Sequence, residues 1–274
     1  MMVSYPSRMN FYRKSLRGWY PELHLQLYLL ISQSRSDLSY STTWDLSPSL
    51  PLLTTGICRA SISEYVLYFS QYFSPETEIY SPHDLVGEIS DIFQAMRLLS
   101  LCVRSPPSDW WRRKVFDRGL YISEYKLLVV LDDQDDMGDE VVVPNRNSHI
   151  YGSCRLAAYL YLYIALREIP PSAATNQAIV KRLKGILESI SVCLLTVWME
   201  DRELFLWILY MGSVSALETA ERTFFVKVLR KLIVPMGLDT MEAFTGTLKK
   251  VLWEPGFCEQ DSTTRDLWEE IQRV

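Results

Sequence analysis

The sequence predicts an all-α fold, and three observations carry that prediction. Leu, Ala, Met, Lys, Arg and Glu are plentiful, whereas 11 glycines and 13 prolines punctuate 274 residues; this balance favours long helices over short strands joined by tight turns. Helix-capping residues recur at regular intervals from Ser61 onward. Behind most of them apolar residues fall at helical spacing. With a hydrophobic fraction of 48% the chain can fill a sizeable core, and we expect an irregular domain of packed antiparallel helices around Trp and Leu.

Residues 1–55 stand apart as a poorly structured or partly helical segment, and 56–274 form the expected helical domain. A helix fits Glu22 to Ile31, followed by a Ser/Thr/Pro-rich loop from Ser32 to Pro51. The first helix of the domain opens on Ser61 and Glu64 at capping-box spacing, before Tyr65, Phe69 and Tyr72. Ser81-Pro82-His83-Asp84 starts the next, which carries Leu85, Ile89, Ile92, Phe93, Met96 and Leu99 and ends at Ser105-Pro106-Pro107. A further helix begins near Ser108 and runs through Trp110, Trp111, Val115 and Phe116, with an expected break at Gly119 before Tyr125, Leu128 and Val129.

The acidic stretch Asp132 to Glu140 and the following Val-Val-Val-Pro144 lose the helical period and read as a surface excursion. Ser148 to Glu168 is then a helix apolar on most faces, stopped by Pro170-Pro171. Residues 172–199 form one amphipathic outer helix, with Ile179, Leu183, Ile186, Leu187, Ile190, Leu194 and Val197 on its stripe. Glu200 to Leu217 contains the densest apolar run, residues 204–211, which is well short of the roughly 18–20 residues a membrane span needs and reads as a core helix. Ala220 to Leu232 mixes Phe224, Phe225, Val228 and Leu229 with cations. Asp239 and Glu242 are placed as a capping box before Phe244, Leu248, Val251 and Leu252, and Thr263 with Asp266 as the cap of a last turn holding Leu267, Trp268 and Ile271.

A net charge of -5 supplies no general field for nucleic acid, since phosphate binding needs clustered Lys and Arg. Trp110-Trp111-Arg112-Arg113-Lys114 places aromatics beside cations, but an amphipathic helix with buried tryptophans accounts for it. The N-terminal Arg8, Arg13, Lys14 and Arg17 read as a solvated or polybasic segment, and no secretory signal is expected. Five widely spaced cysteines, Cys58, Cys102, Cys154, Cys193 and Cys258, are expected to be reduced core residues. His24, His83 and His149 fit no zinc or triad pattern, no phosphate-binding glycine loop occurs, and no cofactor is expected.

One motif points to catalysis. Asp132-Asp133-Gln134-Asp135-Asp136 is similar to the aspartate-rich motif of helical class I terpene synthases, in which carboxylates hold magnesium against a diphosphate. The competing expectation is therefore a magnesium-dependent helical enzyme of isoprenoid diphosphates, with Asp132, Asp133 and Asp136 as metal ligands. Against it, the stretch abuts Met137-Gly138 and an extended run rather than continuing a helix, and the second metal motif is missing downstream. A solvated acidic loop is the favoured reading.

Five further motifs in order carry a different resemblance. They are Ser153-Cys154-Arg155-Leu156-Ala157-Ala158; Leu206-Trp207-Ile208-Leu209-Tyr210-Met211-Gly212; Glu221-Arg222 with Phe224-Phe225; Leu252-Trp253; and Leu267-Trp268-Glu269-Glu270. Their order across residues 148–270 resembles the fungal-specific transcription factor domain, the regulatory region that follows the zinc cluster of many fungal regulators. The resemblance implies a nuclear, non-enzymatic regulatory domain that acts through protein partners or a homodimer, with an interior that can take a small effector. It also implies DNA contact through a six-cysteine zinc module, whose ligands this sequence does not supply. No membrane association is expected. Cys154, Arg155, Leu156, Ala157, Trp207, Gly212, Glu221, Arg222, Trp253 and Trp268 are expected to be structural, the small residues permitting close helix approach and the tryptophans burying large areas. Arg155 and Arg222 are expected to pair with carboxylates or with carbonyls at helix ends.

Overall fold

The computed structural model describes residues 88–104, 110–129, 146–190, 194–254, 256–257 and 262–273. Among them the regular structure is nine α-helices and one π-helical turn, with no strand. We number them α1 (Glu88–Arg104), α2 (Trp110–Val129), α3 (Arg146–Tyr161, continued by the π turn Leu162–Leu166), α4 (Ala174–Ser189), α5 (Leu194–Val197), α6 (Arg202–Ser215), α7 (Arg222–Met236), α8 (Met241–Val251) and α9 (Thr263–Arg273). The all-α expectation is thus met in the described residues. The predicted helices at 22–31 and after Ser61, and the acidic excursion at 132–140, lie outside them.

Two helices are buried on every side and organise the rest. In α6 every residue from Leu204 to Ser215 is buried, as an apolar run without a polar face requires. In α3 and its π turn the same holds from Gly152 to Leu166. These two pack against each other; α1 and α2 pair and cover α3, α4 lies against α3 and α6, and α7, α8 and α9 close the other sides of α6. Consecutive pairs such as α1/α2, α3/α4 and α6/α7 meet across short connections, the helical-hairpin arrangement that burying one stripe per helix favours.

The α3/α4 connection shows why Pro170-Pro171 ends a helix without unravelling it. Glu168 takes a left-handed conformation with φ 54, and the Ile169 amide returns to the Tyr163 carbonyl at 2.9 Å. The buried Asn176 side chain then donates to the Pro170 carbonyl at 2.9 Å, while Gln177 donates to the carbonyls of Pro171 at 2.7 Å and Ser215 at 3.0 Å. Gln177 so fastens the start of α4 to the end of α6.

Several expected boundaries move, each for a local reason. Gly119 does not break α2, which runs unbroken from Trp110 to Val129. A Cβ there would lie 2.8 Å from Leu99 Cδ2, so the glycine marks where α1 crosses α2. Residues 172–199 are not one helix: α4 stops at Ser189, whose hydroxyl donates to the Ile186 carbonyl at 2.7 Å and competes with the backbone ladder, and only the single turn of α5 follows. Helix α7 continues past Leu232 to Met236 and is closed by Gly237 at φ 66. The cap of α8 is Thr240, accepting from the Ala243 amide at 3.1 Å, rather than Asp239. Likewise Thr263 is the first residue of α9, and Ser262 before it bonds Asp266 at 2.7 Å.

The tightest seam joins α6 to α7. A Cβ on Gly212 would approach three ring carbons of the fully buried Phe225 to 2.4–2.8 Å. In an open helix Gly→Ala is favourable by about 1 kcal/mol; here the ring has nowhere to go. Gly212→Ala is expected to destabilise the protein by about 1–3 kcal/mol, measured as a lower urea midpoint. A midpoint that rises would show that Phe225 can move aside.

Candidate functional site

Chemistry in a helical core is found where polar groups interrupt it. Glu124 on α2 is fully buried, at the centre of the stripe Leu120, Leu127, Leu128. Its Oε2 lies 2.6 Å from the Arg167 guanidinium, the Tyr163 hydroxyl donates to Oε1, and the Tyr159 hydroxyl donates to its backbone carbonyl at 3.2 Å. Arg167 also sits over the Tyr163 ring, 5.6 Å from the centroid. Residues four apart drift around an α-helix of 3.6 residues per turn. The wider π turn at Leu162–Leu166 offsets that drift, which keeps Tyr159, Tyr163 and Arg167 on the side facing α2. A buried carboxylate needs such pairing to remain charged. With its oxygens engaged by an arginine and a phenol, it acts as a tie between α2 and α3.

A second junction lies where α1, α3, α6 and the end of α8 meet. Trp207, with no exposure, stands edge-on to Phe93 at 5.4 Å and tilted against Tyr161 at 5.8 Å. Its indole N–H donates to the Leu252 carbonyl at 2.9 Å. From α1, Arg97 donates to the carbonyls of Lys250 and Val251, the latter at 2.9 Å. The last carbonyls of a helix lack intrahelical partners and carry partial negative charge, so an arginine and an indole are suited to close α8. Burial lowers the Arg97 pKa and the nearby Tyr161 opposes that shift. Tyr161 in turn shares a 2.6 Å hydrogen bond with the buried Ser100.

The remaining expected site residues fall on the same framework. Cys154, Leu156 and Ala157 lie on α3 at 0–1% exposure, and Arg155 beside them is also buried. Arg222, at the start of α7, donates through Nε to Glu270 at 2.8 Å and through Nη1 to the Ser213 carbonyl at 3.0 Å, joining α6, α7 and α9. The pairing expected of Arg222 is therefore present, with a carboxylate and a helix-end carbonyl together. Glu221, next to it, has its carboxyl pKa lowered by a hydrogen bond from its own amide, with Thr219, Lys181 and Lys184 adding to the effect against some desolvation. A depressed carboxylate adds stability above its unfolded pKa and loses it as the pH falls through the folded value. Trp253 stacks on Tyr210 at 6.1 Å beneath Lys249, and Trp268 packs on Phe244 at 5.4 Å. Seven of these ten residues, Cys154, Arg155, Leu156, Ala157, Trp207, Gly212 and Trp253, are buried, Arg222 and Trp268 are half-buried at the seams around α9, and the Glu221 carboxyl stays near solvent.

Burial, the charge of Asp201 and, in opposition, a backbone hydrogen bond set the Cys154 thiol, which is pushed well above its ordinary value. Thiolate is the reactive form. Cys154 in the folded chain should resist iodoacetamide and become alkylated on unfolding in urea, as read by peptide mass spectrometry; labelling at equal rates in both states would refute this packing. The alternative metal ligands Asp132, Asp133 and Asp136 lie outside the described residues, and among the described residues no three His, Cys, Asp or Glu side chains form a group that could hold a metal ion. Nor, among them, is any helix long and apolar enough to cross a membrane.

A family model described as the fungal specific transcription factor domain matches residues 37–252, well over half of the chain. The chain belongs to that family. No match was found among curated proteins or among solved structures. The fungal transcription factor domain therefore spans α1 to α8 together with sequence ahead of α1, reaching further toward the N terminus than the motifs readable from residue 148 onward. Trp253 and Trp268 lie beyond the matched residues. Membership assigns the chain a role in transcription regulation.

Two participants were missed in the sequence. Glu124 and Arg97 carry no motif; Glu124 had a signal, a charge whose helical neighbours Leu120, Tyr121, Leu127 and Leu128 are all apolar, whereas Arg97, with Gln94 and Ser100 three residues away, had none.

Proposed function

We propose that the chain is a regulatory interaction module, working in the nucleus through protein contacts or dimerisation, with no catalysis of its own. The carrying observation is the family match over residues 37–252. The burial of the motif side chains supports it: with Cys154, Leu156, Ala157 and Trp207 inside the core, recognition falls to the outer faces of the helices. DNA would be reached through a partner or a zinc module outside these motifs. A small effector would have to enter between helices, since α3 and α6 are surrounded. We treat residues 56–274 as the regulatory domain and 1–55 as its N-terminal extension.

The test is to fuse the chain to an unrelated DNA-binding domain and measure a reporter carrying that domain's operator in a fungal host. Output should shift severalfold in either direction relative to the DNA-binding domain alone, and a fluorescent fusion of the chain should accumulate in the nucleus. Unchanged output from a fusion that is expressed, folded and nuclear would contradict the proposal.

A further inference from the structure

Helix α7 carries a basic stripe that the core does not use. Lys227, Arg230, Lys231 and Val234 follow one another at i, i+3, i+4 and i+7, and all are exposed, Val234 at 73%. The opposite face buries Phe225, Val226, Leu229, Leu232 and Ile233, so the orientation of the stripe toward solvent is fixed by packing. No carboxylate occurs between Arg222 and Met236.

Several cations on neighbouring helices are answered by local acids or rings. Lys184 pairs with Glu188, Lys250 with Glu203 and Arg273 with Glu269. Lys181 acts on Glu221, and Lys249 lies over Trp253. Among the described residues no carboxylate pairs with Lys227, Arg230 or Lys231. On a chain of net charge -5, three unanswered cations on one face beside an exposed valine make a local positive surface with an apolar end.

We propose that this face of α7 docks an acidic peptide segment of a protein partner, its carboxylates meeting Lys227, Arg230 and Lys231 and an apolar side chain resting on Val234. Charge complementarity selects such a partner, and it rests on the reading that the chain regulates through protein contacts. A nucleic acid fits less well. Three cations neutralise too few phosphates to hold a duplex at physiological salt against the net negative charge of the chain, and Val234 has nothing to meet on a phosphate backbone. A short acidic segment meets less long-range repulsion and supplies the apolar contact.

The experiment uses the full chain and three labelled probes in fluorescence anisotropy: a synthetic peptide of Glu and Asp with Leu at every fourth position, the same peptide with Ser replacing Leu, and a random DNA duplex. The Leu-containing peptide should bind best, and its affinity should fall with added salt. Lys227→Glu, Arg230→Glu and Lys231→Glu together should weaken it by about tenfold or more, and Val234→Ser by a few-fold. Lys181→Glu on α4 should leave it unchanged. Circular dichroism and melting verify folding of the charge-reversed chain, with Gln at the three positions as the milder replacement if it melts early. Absence of peptide binding, equal binding by the triple variant, or tighter binding of the duplex would each overturn the assignment. If peptide binding fails while the tethered chain still shifts its reporter, this surface is wrong and the regulatory reading stands.

Discussion

Trp207→Ala is expected to lower the stability of the domain by about 3–5 kcal/mol, the range for removing a large aromatic from a packed core. The indole is fully buried and touches three other elements: Phe93 on α1, Tyr161 on α3 and the Leu252 carbonyl beyond α8. Truncation leaves a cavity that rigid helices cannot close and a carbonyl without its donor. A native domain has only about 5–15 kcal/mol in hand, so much of the margin goes with one side chain. Urea denaturation followed by circular dichroism gives the value. Trp207→Phe separates the two losses, since it keeps most of the ring contact and removes the hydrogen bond, whose net worth is about 1 kcal/mol. If Trp207→Ala cost less than about 1 kcal/mol, Trp207 would not be the junction of these helices.

Glu124→Ala should cost a comparable amount, about 3–5 kcal/mol, for an electrostatic reason. Removing one partner of a buried ion pair leaves the other uncompensated. Arg167 is 20% exposed at its side chain and can recover part of its hydration, which places the expectation at the lower end of that range. Tyr163 loses its acceptor in the same substitution. The informative comparison is the double variant Glu124→Leu with Arg167→Met, which removes both charges and retains bulk. It should be more stable than Glu124→Ala, because apolar replacement of a whole buried pair is often neutral or better. A double variant as unstable as the single one would mean that the pair contributes more than mutual compensation.

The features that were legible in the sequence are those set by local pattern. A run such as residues 204–211, with no polar face, has to be surrounded, and α6 is. The stripe Ile92, Phe93, Met96 and Leu99 identified the buried side of α1 for the same reason. The features that escaped depend on partners distant in the chain. Gly119 reads equally as a break or as a crossing point, and Leu99 on another helix decides between them. The caps slipped by one residue at Thr240 and Ser262 because Asp, Thr and Ser all have capping side chains, and tertiary packing sets where the first turn begins. The π turn at Leu162–Leu166 has no composition signature.

Site reading divided along the same line. Ordered aromatic and small-residue motifs led to the family, since helices that must pack closely around large rings constrain those positions strongly; the residues that tie the core by charge, Glu124 with Arg167 and Arg97 with the end of α8, are single charged residues that form no pattern of their own.

The central claim is that the chain regulates transcription through contacts made by a folded helical domain rather than through carboxylate chemistry. Its most direct test is the tethered reporter, comparing the unaltered chain with the variant Asp132→Asn, Asp133→Asn, Asp136→Asn. The account predicts a severalfold shift in output that is the same for both. An inert tethered chain, or a shift abolished by the three Asn substitutions in a protein that still folds, would contradict it.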